Sequence, residues 1–204
     1  MEQDRVRWNR KYQDDKGMGE VSPLVAGYAA LAPGKLALDV AAGSGRNALF
    51  LARQGFRVVA VDVADEAMRR LNGLGHPNIF PIQADLDTFP LRPERFDLIV
   101  CCHFLDRRLL PDLRESLRFG GVLLYESAMQ TDLDMVDQPR NPDYLLRTNE
   151  LLHVFLPMRI VRYEESLVGG SGGRKVLARL AAQNGRVGDR ALARLNDRGD
   201  AQPG

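Results

Sequence analysis

The chain has 204 residues, 45% hydrophobic and 27% charged, with 28 Lys and Arg against 27 Asp and Glu. That length supports one domain with a core that needs no disulfide or metal, which excludes a largely disordered chain. A formal net charge of +1 disfavours a nucleic-acid partner, and no apolar run reaches the roughly 20 residues that cross a membrane.

The N-terminal part of the chain is polar. Residues 1–20 lack the apolar core of a secretory signal, so we expect a cytoplasmic protein. Ser22 followed by Pro23 predicts the start of a helix, because serine caps helix ends and proline suits the first helical position. We therefore expect residues 1–20 to form a separate N-terminal cap segment and the domain itself to occupy 21–182.

Five predominantly apolar runs follow, at 36–41, 56–61, 79–84, 96–102 and 121–127. Runs without in/out alternation are typical of strands that are buried on both faces of a parallel sheet. A helical stretch from Asn47 to Gln54 ends at Gly55, where a left-handed residue commonly terminates a helix. The alternation of strands and helices predicts a doubly wound α/β domain.

The last third of the chain has a different pattern. A helix-like stretch from 143 to 155 precedes two strand-like segments, 159–166 and 175–182, which the loop VGGSGG separates. Such a short glycine-rich connection predicts a hairpin, and so an antiparallel strand at the end of the parallel sheet. Residues 183–204 are small and charged, and we expect a loose tail.

A glycine-containing turn joins the first predicted strand to its helix. Gly43 and Gly45 let the backbone turn sharply and approach a ligand at the helix N-terminus, although tight turns also use glycine without binding anything. Asp62 ends the second strand, where a carboxylate can accept both hydroxyls of a ribose. Asp85 follows the third, within reach of an adenine amino group. Three such features at successive strand ends predict a nucleotide-type ligand.

Two cofactors compete for this loop. The run from Gly43 to Ala48 formally fits the dinucleotide pattern of an NAD-dependent oxidoreductase. Asp39, however, is an acid within an apolar strand, four residues before the first glycine. Its carboxylate would repel a pyrophosphate and attract the ammonium group of an amino-acid ligand. S-adenosylmethionine, which carries an ammonium and a sulfonium but no phosphate, is therefore favoured.

These segments are together similar to the ordered motifs of class I S-adenosylmethionine-dependent methyltransferases. The similarity covers residues 20 to 182 and rests on 39–47, Asp62, 84–86 and 96–100. It implies a seven-stranded Rossmann-like sheet with an antiparallel last strand. It also implies that Asp39 and the 43–45 backbone surround the methionine moiety, Asp62 the ribose, and Asp85 with Leu86 the adenine. The further positions implied at the cofactor are Ala41, Arg46, Asn47, Val63, Met68, Cys102, His103 and Phe104.

Within the family, 8–12 and 146–151 most resemble the tellurite- and thiopurine-type branch, which methylates small molecules. That branch has a His-Arg pair after the penultimate strand in its tellurite members, where this chain has Val168-Gly169-Gly170. A small-molecule acceptor is thus implied, but tellurite itself does not follow. Trp8 and Tyr12, one helical turn apart, either cap the cofactor or simply pack on the sheet.

Catalytic residues are hard to predict, because in-line methyl transfer depends mostly on positioning and exclusion of water. His103 is the candidate base, since it follows the fourth strand and titrates near neutrality; a polar loop residue is the competing interpretation. Arg147 is a candidate clamp for an anionic acceptor, or a solvated helix residue. We expect His76 and His153 to be structural.

No spacing of His, Cys or acids predicts a metal site. Cys101 and Cys102 are adjacent in a strand, so their side chains should point to opposite faces as small buried groups. Two alternatives to a methyltransferase remain: an NAD-dependent oxidoreductase, and a non-catalytic protein of the same fold that binds the cofactor. The sequence identifies neither the acceptor atom nor the oligomeric state.

Overall fold

The computed structural model describes residues 2–14, 17–133, 136–139, 141–170 and 173–185. None of its helices has the length and apolar content needed to cross a lipid bilayer, in the part of the chain so described. The helices are α1 (Glu2–Asp14), α2 (Pro23–Tyr28), α3 (Arg46–Arg53), α4 (Asp65–Gly73), α5 (Leu110–Glu115) and α6 (Glu150–Phe155). The strands are β1 (Leu36–Val40), β2 (Arg57–Asp62), β3 (Ile79–Gln83), β4 (Phe96–Cys102), β5 (Leu117–Ala128), β6 (Arg159–Gly170) and β7 (Gly173–Gln183).

The seven strands form one sheet in the order β3-β2-β1-β4-β5-β7-β6. The first five are parallel, whereas β7 runs antiparallel to both β5 and β6. The predicted doubly wound α/β fold and its closing hairpin are therefore confirmed. The order reverses between β1 and β4, and at such a switch point the ends of neighbouring strands leave a crevice for a ligand.

Helices cover both faces of the sheet. Residues of α2, α3 and α4 pack with Ala37, Val100, Leu124 and Ala181 on one face, which we call the first face. Residues of α5 and α6 pack on the other. Cys101 belongs to the second cluster and Cys102 to the first, so the prediction that these two buried thiols point to opposite faces is confirmed.

Burial differs along the sheet as its topology requires. All seven residues of the central strand β4 are buried, which explains why its sequence is apolar except for Asp97. β3 lies at the edge and leaves Phe80 and Ile82 exposed. The predicted helix start is also confirmed: the Ser22 side chain accepts a hydrogen bond from the Leu24 amide, at 3.2 Å.

The predicted helix over 143–155 is wrong in its first part. Residues 142–144 form a 3-10 turn, and α6 begins only at Glu150. Between them Leu146 joins the sheet beside Met129: its amide donates to the Ala128 carbonyl at 2.9 Å, and its carbonyl accepts from Gln130 at 2.8 Å. Asn149 then adopts a left-handed conformation at φ 60°, which prevents a continuous helix. Most of the expected C-terminal tail, 186–204, lies outside the described residues.

Candidate functional site

The loop between β1 and α3 is shaped by two left-handed glycines. Gly43 has φ 55° and Gly45 has φ 84°. A side chain at Gly45 would overlap the Leu71 side chain of α4, so this glycine serves close packing whether or not a ligand binds. At Gly43, a Cβ would lie 2.5 Å from the Tyr12 hydroxyl oxygen. Helix α1 therefore reaches the loop, where Trp8 and Tyr12 stack with ring centroids 6.0 Å apart.

Asp62 holds this loop from the end of β2. Its side chain is buried; one carboxylate oxygen accepts from the Gly43 amide at 2.8 Å and the other from the Ala64 amide at 2.9 Å. Burial raises the pKa of Asp62, while the amide hydrogen bonds act in the opposite direction. Each oxygen retains a second lone pair, so the carboxylate can still accept hydrogen bonds from a ligand.

Asp39 lies on the first face of the sheet and is 1% exposed. Its Oδ2 atom has no hydrogen-bond partner among the described residues, although such orphaned oxygens are costly in a folded protein. Desolvation by burial raises the Asp39 pKa to about 7, against opposing contributions from the Ala48 amide and the Arg46 guanidinium. Asp39 is thus a buried acid that forms no ion pair among the described residues, and Arg46 acts on it only as a nearby charge.

Ala41 adopts φ 51°, in the left-handed region that residues with a Cβ rarely occupy. It directly follows β1, where the chain turns into the glycine loop. An L-residue in this conformation costs on the order of 1 kcal/mol or more. The turn therefore stores strain at a position where glycine would not be strained.

Replacing Ala41 with glycine should increase the free energy of unfolding by about 1 kcal/mol, because glycine accepts positive φ without steric cost. Urea unfolding at equilibrium measures the change. Ala42→Gly is the matched control: Ala42 is not among the residues of positive φ, so glycine there should be destabilising. Equal effects of the two substitutions would contradict strain at Ala41.

The segment after β4 is fixed from two sides. The His103 amide donates to the Glu126 carbonyl at 2.7 Å, and His103 then turns through φ 60°. The buried Tyr125 hydroxyl donates to the Phe104 carbonyl at 2.8 Å from the second face. Burial raises the pKa of Cys102 well above its usual value, so its thiol stays neutral and is not a nucleophile.

Glu126, a residue that our sequence analysis did not single out, lies beside His103. It is buried on β5; its Oε2 accepts from Arg179 Nε at 2.6 Å, and its Oε1 lies 3.5 Å from His103 Nε2. Arg179 belongs to β7, directly across the antiparallel pair. Burial lowers the His103 pKa; Glu126 raises it, while Arg46, Lys175 and Arg179 lower it.

The remaining predicted positions lie around this edge of the sheet. Asp85 shapes its own turn, with Oδ1 accepting from the Asp87 amide at 3.0 Å, and the adjoining Leu86 packs against the second cluster. The Asn47 side-chain oxygen accepts from the Ser22 amide at 3.1 Å, which ties α3 to the start of α2. Met68 is buried in the first cluster, and Val63 is half-buried beside Asp62. Their roles toward a cofactor stay predictions.

Arg147 lies at another place. It lines a shallow surface depression together with Arg107, Glu150 and His153, and its amide donates to Glu150 Oε2 at 2.8 Å. Arg107 already forms a two-point ion pair with Glu150, at 2.6 and 3.0 Å. His76 hydrogen-bonds to the Asn78 amide at 3.3 Å within its turn. A catalytic role for Arg147 stays a prediction.

The carboxyl edge of the sheet thus brings together the glycine loop, Asp39, Asp62 and the segment after β4. Glu126 and Arg179 complete this group, and the signal for Glu126 was present: like Asp39, it is an acid within an apolar run. Arg179 carried no such signal, since its position depends on how β7 pairs with β5. No group of three metal-binding side chains occurs within the described ranges.

Comparison with known proteins finds one family model and several curated relatives. The model of a methyltransferase domain matches residues 37–121. Among curated proteins, hemagglutinin 1 of Eikenella corrodens is 30% identical over 64% of this chain and 46% of its own length. The ubiquinone biosynthesis O-methyltransferase of Xylella fastidiosa is 40% identical over 39% of this chain and 33% of its own length. The probable S-adenosyl-L-methionine-dependent methyltransferase TehB of Haemophilus influenzae is 28% identical over 64% of this chain and 48% of its own length. The matches therefore span from a third to about half of these relatives.

Solved structures agree on the fold. TehB from Haemophilus influenzae superposes with a TM-score of 0.71 at 23% identity, covering 81% of this chain and 63% of that one. A 1,6-didemethyltoxoflavin-N1-methyltransferase from Burkholderia thailandensis superposes with a TM-score of 0.66 at 18% identity, covering 90% of this chain and 87% of that one. That structure contains 1,6-didemethyltoxoflavin and S-adenosylhomocysteine. The antiparallel β7 seen here also counts against the dinucleotide-dependent alternative.

Proposed function

We propose that this chain is a class I S-adenosylmethionine-dependent methyltransferase, similar to the TehB type, that methylates a small-molecule acceptor. The cofactor of the family is S-adenosylmethionine. The single observation in the site that carries the proposal is Asp39, a buried acid whose Oδ2 has no partner among the described residues. A cationic ligand group would satisfy that oxygen, whereas a phosphate would not.

The residues present fit this cofactor. Asp39 would hold the ammonium group of the cofactor's methionine part. Arg46, which acts electrostatically on Asp39, is suited to the carboxylate of that methionine part. Asp62 would accept the ribose hydroxyls through the lone pairs that the Gly43 and Ala64 amides leave free. Gly43 and Gly45 provide close backbone approach, and Tyr12 would cover the loop from α1.

When bound, S-adenosylmethionine supplies a methyl group: the acceptor's electron pair forms the new bond to carbon, and the electrons of the carbon–sulfur bond return to sulfur. The chain's own residues position the partners and exclude water, which is the main requirement of an in-line displacement. Cys102 ends β4 at this edge of the sheet, His103 follows it, and Tyr125 fixes the Phe104 backbone beside them. These residues would line the side of the site where the acceptor binds.

A small molecule is the acceptor that the relatives favour. The names of two of them refer to methylation in ubiquinone biosynthesis and of 1,6-didemethyltoxoflavin. The resemblance of 8–12 and 146–151 to the tellurite- and thiopurine-type branch supports the same class. We leave tellurite out of the proposal, because Val168 and Gly169 stand where that branch has its His-Arg pair.

Two measurements test the proposal. Calorimetric titration with S-adenosylhomocysteine and, separately, with NADH should show binding of the first alone; tight binding of NADH without S-adenosylhomocysteine would end the proposal. Incubation with methyl-labelled S-adenosylmethionine and a panel of thiols, amines, phenols and metalloid oxyanions should then yield a labelled product. Cofactor binding without transfer to any member would instead support the non-catalytic alternative.

Affinity for S-adenosylhomocysteine should rise about tenfold between pH 5.5 and 7.5, because Asp39 must release its proton to pair with the ammonium group. Burial raises the Asp39 pKa to about 7. Below that pH the free protein holds the Asp39 proton, which binding must release, and above it binding releases no proton, so affinity rises with pH. Asp39→Asn should bind more weakly, with a shallower pH dependence. A wild-type affinity that is flat over this range would contradict the assigned partner of Asp39.

A further inference from the structure

The charged side chains of Glu126 and Arg179, which lie beside the end of β4, are unusual for the interior of a sheet. On the first face, Glu126 of β5 and Arg179 of β7 lie directly opposite each other, and their side chains are 3% and 17% exposed. Two charges so deeply buried are costly unless they are paired and serve a defined geometry. The Glu126–Arg179 pair meets the first condition through the 2.6 Å bond from Arg179 Nε.

The pair leaves one carboxylate oxygen for a different group. Arg179 bonds to Glu126 Oε2, whereas Oε1 faces His103 Nε2 at 3.5 Å, which is an ion-pair distance and longer than an ordinary hydrogen bond. The His103 backbone is also tied to Glu126, since its amide donates to the Glu126 carbonyl at 2.7 Å. The backbone of Glu126 thus holds His103 at its left-handed turn, and the carboxylate of the same residue lies beside the imidazole ring.

The direction of this contact determines which ring nitrogen can act as a base. A neutral imidazole carries one proton, and a carboxylate at Nε2 selects the form with the proton on Nε2. The lone pair is then on Nδ1. The His103 side chain is 39% exposed, so a proton taken up at Nδ1 can pass to solvent. The charged groups that act on the ring are Glu126 of β5, Arg46 of α3, and Lys175 and Arg179 of β7.

We propose that Glu126 is a positioning residue that holds His103 as the Nε2–H tautomer, so that Nδ1 accepts a proton from a protic acceptor, a thiol or hydroxyl compound. This rests on the proposed function. The bond from the acceptor atom to hydrogen breaks, its electron pair forms the bond to the methyl carbon, and the proton goes to Nδ1. The carbon–sulfur electrons stay on sulfur, so the charges balance without a further reactant. Acceptors that have no dissociable proton would gain nothing from this arrangement.

Nuclear magnetic resonance tests the arrangement directly, because the chain has only three histidines. In ¹⁵N-histidine-labelled protein, with signals assigned through His76→Asn and His153→Asn, His103 should show the Nε2–H tautomer near pH 8. Glu126→Gln should lower the His103 pKa by about one unit, since it removes the carboxylate that favours the charged ring. Glu115→Gln, the same change at the exposed last residue of α5, should leave the His103 pKa unchanged.

Two resonance results would overturn the proposal. One is an Nδ1–H tautomer in the wild-type protein, and the other is an unaltered His103 pKa in folded Glu126→Gln. Methyl transfer is compared with 2-mercaptoethanol and with dimethyl sulfide, which has no proton to lose. His103→Gln should reduce turnover of the thiol about a hundredfold and spare dimethyl sulfide. Equal loss with both probes would also overturn it. Titration with S-adenosylhomocysteine tests the proposed function separately, so the two can fail independently.

Discussion

Replacing Asp62 with Ala should weaken binding of S-adenosylhomocysteine about a hundredfold, or by about 2.7 kcal/mol. Two losses combine in this variant. The ribose hydroxyls lose their buried acceptor, and the Gly43 and Ala64 amides lose the carboxylate oxygens that hold them at 2.8 and 2.9 Å. Each unsatisfied buried group costs on the order of 1–3 kcal/mol. Isothermal titration calorimetry measures the change.

A second ligand separates these two losses. The 2′-deoxy analogue of S-adenosylhomocysteine lacks one ribose hydroxyl, so wild-type protein should bind it more weakly than the parent ligand. The Asp62→Ala variant should no longer distinguish the two ligands. Asp112→Ala, a change at an exposed acid in α5, is the control that should leave both affinities intact. If the variant retains the wild-type preference for the parent, Asp62 shapes the loop without contacting the ribose.

The fold was predictable because its signals are local. The run from Phe96 to Cys102 is apolar except for Asp97, and the structure buries every one of its residues. The glycines between Val168 and Gly173 predicted the hairpin, and hence the antiparallel β7. The helix over 143–155 failed because a long-range interaction prevailed: pairing of Leu146 with the sheet beside Met129 removes the backbone groups that a continuous helix would need.

The site was predictable only in its cofactor half. Asp39 and Asp62 stand at strand ends in the sequence, so parallel topology alone brings them to one edge. The other half depends on cross-strand register: Arg179 reaches Glu126 only because β7 runs antiparallel to β5 with these two residues opposite each other. The strain at Ala41 was also missed, since alanine does not by itself indicate a left-handed turn.

Replacing Arg179 with Met should lower the free energy of unfolding by about 3–5 kcal/mol, because it leaves a buried carboxylate without its cation. Glu126 is only 3% exposed on its side chain, and it has Arg179 as its one close cationic partner among the described residues. His103 cannot substitute, since burial lowers its pKa and the ring is neutral near pH 7. Chemical unfolding followed by circular dichroism measures the loss.

The double variant Glu126→Gln/Arg179→Met tests whether the uncompensated charge is the cause. It removes both charges and keeps similar side-chain volumes, so it should recover most of the stability that Arg179→Met loses. If it were no more stable than Arg179→Met at pH 7, lost packing of the arginine stem between β5 and β7 would explain the effect, and the charge pair would not.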